Sequence, residues 1–140
     1  MLIEGRVRVL VADDHQPVLE RVVRTLAREF SVIATVSDGE QLVEAEAALH
    51  PDVVVADVSM PRMNGIEAAA RIHRGGSTVP VVCLTAHEES ALMEAAWDAG
   101  VLGYVTKASL AADLVPAVRA ALEGRRFVSA ATGTPGASSR

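Results

Sequence analysis

The residues best suited to chemistry are Asp13-Asp14, Asp57, Thr85 and Lys107, each set at the end of a short apolar run. Three carboxylates sharing one pocket repel one another. Two unit charges about 4 Å apart cost roughly 4 kcal/mol at an effective dielectric of 20. A raised carboxyl pKa is one way to relieve that repulsion, and a hard divalent cation is a better one. Mg2+ (or Mn2+) binds through one or two carboxylates and completes its shell with waters and phosphate or carbonyl oxygens. The group lacks the His and Cys ligands that zinc prefers. An acidic pocket with a cation and one ammonium suits phosphoryl transfer, which needs mainly alignment and charge neutralisation. Asp57 is then the carboxylate nucleophile. Its phosphoryl oxygens would be shared among the cation, the Lys107 ammonium and the Thr85 hydroxyl. Taken singly, a strand-end Asp is more often a helix cap, Thr a turn residue and Lys a surface charge. Their joint recurrence after successive strands is what points to a site.

Those residues need strands that all deliver their carboxyl ends to one edge, and the sequence supplies them. Arg6–Ala12, Val32–Val36, Asp52–Asp57, Val79–Leu84 and Leu102–Thr106 read as strands, several of them wholly apolar. Helices alternate with them. Val18, Leu19, Val22, Val23, Leu26 and Phe30 recur at helical spacing after Pro17, which suits a first helical turn. Asp38 can cap a helix carrying Leu42, Val43, Ala45, Ala48 and Leu49. Ile66–His73 is stopped by Gly75-Gly76-Ser77, Glu88–Ala99 by Gly100, and Leu110–Glu123 by Gly124. Apolar strands alternating with helices predict a parallel, doubly wound five-stranded α/β sheet covered on both faces. Ligands in such sheets sit at the carboxyl ends of the strands. Pro116 falls inside the last helix and predicts a kink or a later start there.

Bulk properties bound the rest. The chain has 140 residues, enough for one domain. Half of it is apolar and 3% aromatic, so the core must be aliphatic. A net charge of −5 argues against direct nucleic-acid binding. No apolar run is long enough to span a bilayer, and the N-terminus does not read as a signal peptide. With one cysteine, Cys83, a reducing cytoplasm is the expected setting, and Cys83 reads as a buried, unreactive strand residue. The basic residues are twelve Arg and a single Lys, Lys107, and that one lysine falls after the fifth strand. The chain from Ser129 to Arg140 turns to Ala, Gly, Thr, Ser and Pro. Residues 1–128 are therefore expected as the domain, and 129–140 as a flexible tail or truncated linker.

The chain resembles the receiver domain of bacterial two-component response regulators, the CheY-like family. The matching stretches are Val-Ala-Asp13-Asp14-His, then Pro-Asp-Val-Val-Val-Ala-Asp57-Val-Ser-Met-Pro-Arg-Met-Asn-Gly, then Leu-Thr85-Ala86, then Gly-Tyr104-Val-Thr-Lys107. The Asp57 segment is the most specific of them, and the resemblance covers about residues 6–128. It implies a flavodoxin/CheY-like sheet of order 2-1-3-4-5. It implies that Asp57 takes a phosphoryl group from a sensor histidine kinase or phosphotransfer protein, so the chain catalyses only its own phosphotransfer and dephosphorylation. It implies a cation held by Asp14 directly, Asp13 through water, Asp57 and the Ser59 carbonyl. Thr85 and Tyr104 are implied as switch residues that repack the surface of the fourth helix, fifth strand and fifth helix. Homodimerisation through that surface is compatible with it. Asp-Val-Ser-Met-Pro, Gly-Tyr-Val-Thr-Lys and Gly-Arg-Arg-Phe-Val-Ser look most like the NarL/FixJ-type subgroup, which usually continues into a DNA-binding helix-turn-helix. Ala108 stands where many receivers have Pro, so the peptide after Lys107 need not be cis.

Ser59 and His87 lie two residues beyond Asp57 and Thr85 and are expected to tune water access to the phosphoryl group. His15 reads as a helix-start residue. Met93 and Trp97 read equally as core edge or partner-facing patch. A metal-dependent phosphatase is the principal alternative, and Ser59 stands where such enzymes carry a second carboxylate. A flavodoxin-like cofactor binder is disfavoured by Asp13-Asp14, which would repel a phosphate. The output is either that of a stand-alone adaptor or that of the receiver part of a transcription factor, with no DNA binding expected of these 140 residues themselves.

Overall fold

The computed structural model describes residues 5–86 and 90–129. Its elements are β1 (Arg8–Ala12), α1 (Gln16–Leu26), β2 (Ser31–Val36), α2 (Gly39–Leu49), β3 (Val53–Asp57), α3 (Gly65–Arg74), β4 (Val81–Thr85), α4 (Ser90–Asp98), β5 (Gly103–Thr106), α5 (Leu110–Leu122) and β6 (Phe127–Val128). The sheet is parallel, with order β2-β1-β3-β4-β5-β6. The α/β arrangement and the order of the first five strands match the expectation. The expected count of five does not, because β6 adds a sixth strand outside β5. Two residues are too few to register as an apolar period. Backbone bonds seat them: Phe127 N–H donates to Leu102 O at 2.9 Å and Ser129 N–H to Tyr104 O at 3.0 Å. Ser129, expected to begin the tail, is buried, and its hydroxyl accepts from Thr106 N–H at 3.1 Å.

Alternate strand residues feed two separate cores, as the pleat requires. On one face Val9, Val11, Val53, Val55, Val82, Leu84 and Val105 pack against α1 and α5. On the other, Leu10, Ala12, Val54, Ala56, Val81, Cys83 and Tyr104 pack against α2, α3 and α4. Cys83 is buried, and burial pushes its thiol up to about 12, so the inert reading holds. Trp97 belongs to the core edge: it packs on the second core, its ring centroid is 6.3 Å from that of Tyr104, and the Arg126 guanidinium lies 4.5 Å over its face.

Helix starts follow local chemistry. Pro17 lies in the first turn of α1, and Asp38 Oδ1 accepts from Gln41 N–H at 2.8 Å at the start of α2. Asn64 and Glu67 form a reciprocal capping box at the start of α3. The segment expected to begin α4, from Glu88, lies partly outside the described residues, as does the chain from residue 130.

Helix α5 runs continuously through Pro116, so the later start does not occur. The proline removes the bond that would reach Ala112 O. Both residues lie on the exposed face, where water can take that carbonyl. Restoring the donor with Pro116→Ala is expected to raise stability to chemical denaturation by about 1–2 kcal/mol, the helical gain being partly offset by a freer unfolded chain. An unchanged or lower midpoint would show that the helix is already fully compensated around the proline.

Candidate functional site

β1 and β3 are neighbours, and Ala12 pairs with Ala56, so the residues that follow stand side by side at the carboxyl edge. They are Asp13 and Asp57, 1% and 2% exposed. Exposed Asp14 joins them, and one carboxylate oxygen from each of the three lies within 4.8 Å of the others. β4 and β5 end in register, with Thr85 opposite Thr106, and Lys107 follows in a single 3-10 turn, Lys107–Ser109. The Lys107 ammonium reaches back to Asp57 Oδ2 at 3.0 Å. No cis peptide occurs among the described residues, consistent with Ala108 after the lysine.

Each oxygen of Asp57 thus has a partner, since Ser59 N–H donates to Oδ1 at 3.1 Å. Asp13 is only half satisfied. Its Oδ1 accepts from His15 N–H at 2.9 Å, while its Oδ2 is buried and meets no hydrogen-bond donor among the described residues. His15 is the N-cap of α1, at the helix start as expected, and its side chain makes no cap bond. Burial raises the Asp13 carboxyl from 3.8 to about 6, helped by the charge of Asp57 and opposed by His15 N–H and Lys107. Among the described residues, three carboxylates and one ammonium leave two negative charges uncompensated when all are ionised. An orphaned buried oxygen, an all-oxygen donor set and a deficit of two charges fit a hard divalent cation.

A cleft of about 480 Å³ opens over Asp57, lined by Ser59, Met60, Asn64, Thr85, Leu92 and Lys107 among others. Its floor is fixed from behind by Gly65. A Cβ there would lie 2.3 Å from Asp57 O, and Gly65 N–H donates to Val58 O at 3.1 Å. Thr85 is 4% and Tyr104 1% exposed. His87 lies outside the described residues. The structure therefore brings Ser59, Thr85 and Lys107 to one cleft over Asp57 and clusters Asp13 and Asp14 with that same carboxylate, with Tyr104 on the next strand. Met60 and Leu92 also wall the cleft, without a signal in the sequence. Both are apolar residues whose helix or loop setting carries no chemical signal.

The response regulator receiver domain model matches residues 9–119. The chain belongs to the response regulator receiver domain family. It is 36% identical over 125 residues to the response regulator GacA of Pseudomonas viridiflava, covering 88% of this chain and 58% of that one. It is 33% identical over 127 residues to the transcriptional regulatory protein DegU of Brevibacillus brevis, covering 89% and 54%. This receiver thus spans between about half and three fifths of those two curated relatives. Among solved structures, a LuxR-family two-component response regulator from Aurantimonas sp. SI85-9A1 superposes with a TM-score of 0.85 at 32% identity, covering 96% of this chain and 95% of the other. The signal receiver domain of NarL from Mycobacterium tuberculosis gives 0.82 at 34%, covering 86% and 98%. The receiver is of the NarL/FixJ type. No helix among the described residues is long and apolar enough to cross a membrane.

The raised Asp13 carboxyl has a measurable consequence. Its folded-state value lies above its unfolded value, so the protonated form favours folding; that stability is present below about 3.8 and lost as pH rises through about 6. In chelator, Asp13→Asn is expected to be more stable than wild type at pH 7.5 by up to about 3 kcal/mol. The gap should close as pH falls toward 4. Parallel pH profiles of the two proteins would contradict a buried, unfavourably ionised Asp13.

Proposed function

We propose that Asp57 is the phosphoacceptor of this receiver and that its modification switches the surface built by α4, β5 and α5. The observation that carries the reading is a buried Asp57 at a strand end, paired with Lys107 and open to a cleft bordered by Thr85. An Asp57 carboxylate oxygen attacks the phosphorus of a phosphohistidine on a sensor kinase or phosphotransfer protein. The P–N bond breaks, and the imidazole leaves with the electron pair and then takes a proton. The Lys107 ammonium, already 3.0 Å from Oδ2, offsets the charge arriving on the phosphoryl oxygens, and the Thr85 hydroxyl donates to another of them. Ser59 N–H holds Oδ1 and so orients the carboxylate plane. Asp13, Asp14, Asp57 and the Ser59 carbonyl would hold Mg2+ or Mn2+, which when bound neutralises charge on the transferring group.

Readout runs through the buried Thr85 and Tyr104, with Tyr104 against Trp97 of α4. The same face is the proposed contact for a partner, a second copy or an output domain, and His87 and Ser59 are the proposed tuners of phosphoryl lifetime. The residues after β6 are proposed as a tail or linker. Relatives named as transcriptional regulators support transcription control as the output, in the cytoplasm, with DNA contacts made outside these 140 residues. A phosphatase reading gains no support, because Ser59 brings a backbone N–H to Asp57 and no second acid.

Incubation with acetyl phosphate and Mg2+ is expected to add one phosphoryl group by intact mass. Asp57→Ala should take none, and Lys107→Ala should slow uptake by roughly tenfold or more. An unmodified wild type, or an undiminished adduct on Asp57→Ala, would sink the assignment.

A further inference from the structure

The loop between β3 and α3 carries Ser59, Met60 and Asn64 into the cleft, and its inner end is set by Asp57 itself. Its outer bend is Arg62-Met63. Arg62 is held at φ 68, in the left-handed region that costs a non-glycine residue roughly 1–2 kcal/mol. Met63 N–H donates to Pro61 O at 2.7 Å, so the bend is tight.

Two independent contacts fasten that bend, and both come from the start of α2, which does not border the cleft. Asp38 Oδ2 lies 3.4 Å from Arg62 Nε. Gly39 backs directly onto Met63, where an added Cβ would stand 2.1 Å from Met63 O and 2.6 Å from Met63 Cβ. Gly39 is not in the left-handed region, so backbone freedom does not require a glycine there. The absence of a side chain is what lets the two backbones meet.

We infer that Gly39, with Asp38, is a positioning residue that latches the Arg62-Met63 bend and thereby sets Ser59 against Asp57. A methyl group at residue 39 needs roughly 1 Å more room. Helix α2 resists that displacement, because Leu42 is fully buried and the buried Glu46 accepts from Ser77 Oγ at 2.7 Å. The bend is short, exposed at Pro61 and Arg62, and moves first. Its movement draws on Ser59, whose N–H orients Asp57 and whose carbonyl is a proposed cation ligand. Displacements of this size cost up to about 100-fold at a reacting centre. The inference rests on the phosphoacceptor reading of Asp57.

The test follows Mg2+ affinity through the Ser59 amide in 1H–15N spectra, alongside acetyl phosphate uptake. Gly39→Ala is expected to weaken Mg2+ binding by about tenfold and to slow uptake at saturating Mg2+. Val118→Ala, a truncation in the opposite core, should keep both within about twofold, which separates positioning from general destabilisation. A folded Gly39→Ala with wild-type affinity and uptake overturns the inference, as does an equal loss in Val118→Ala. Should Gly39→Ala fail to fold, Arg62→Ala decides: removing the ion pair is expected to weaken Mg2+ binding about two- to threefold, and wild-type affinity overturns the latch. Absence of a phosphoryl adduct on the wild type removes the reading of Asp57, while the Mg2+ measurements still decide the role of Gly39.

Discussion

Repulsion between Asp13 and Asp57 is the constraint around which this molecule is arranged. Parallel pairing of β1 with β3 forces the two carboxylates together, because Ala12 and Ala56 are in register and the next residue on each strand is the acid. Both are buried, where a charge is expensive unless paired. Lys107 answers one of the charges and burial leaves Asp13 holding its proton to about pH 6. The remaining deficit is what would suit the edge to a divalent cation and, on the proposed reading of Asp57, to the oxygens of a phosphoryl group.

A rigid frame is needed to keep such a site from relaxing. Two aliphatic cores, one on each face of the sheet, supply it, and the strands that end at the cleft are buried along nearly their whole length. Small residues then let backbones approach closely behind the Asp57 carboxylate, with Gly65 against Asp57 O and Gly39 against Met63 O. His73 ties the same layer together, its two ring nitrogens lying 2.9 Å from Ala99 O and 2.8 Å from Val79 O. On the other side, β6 closes the free edge of β5 and seats Ser129 against the strand that carries Tyr104. The charge-bearing edge and the proposed readout face therefore share one continuous sheet.

Much of this is legible in the sequence alone, for a physical reason. Strand ends in a parallel sheet meet at one edge, so the residue just after each apolar run can be placed from sequence, and Asp13, Asp57, Thr85 and Lys107 do stand at that edge. Cap chemistry at Asp38 and the first-turn Pro17 were readable because they act within a few residues of themselves. What escaped was non-local or too short. β6 is two residues long and is defined by bonds to β5, more than twenty residues earlier. The value of Gly39 lies in Met63, on another element, and a glycine one residue inside a helix start looks like an ordinary turn residue. Pro116 pointed to disruption, yet the helix passes through it because the orphaned carbonyl faces water.

Thermal unfolding of the wild type as a function of Mg2+ at pH 7.5 bears on the charge deficit most directly. A ligand that binds only the folded state raises the midpoint steadily with the logarithm of its concentration once above its dissociation constant. The account predicts such a rise, and its loss when Asp13 and Asp14 are both replaced by Asn. A midpoint indifferent to Mg2+, or a rise that survives those replacements, would contradict the view that these carboxylates are an incomplete cation site.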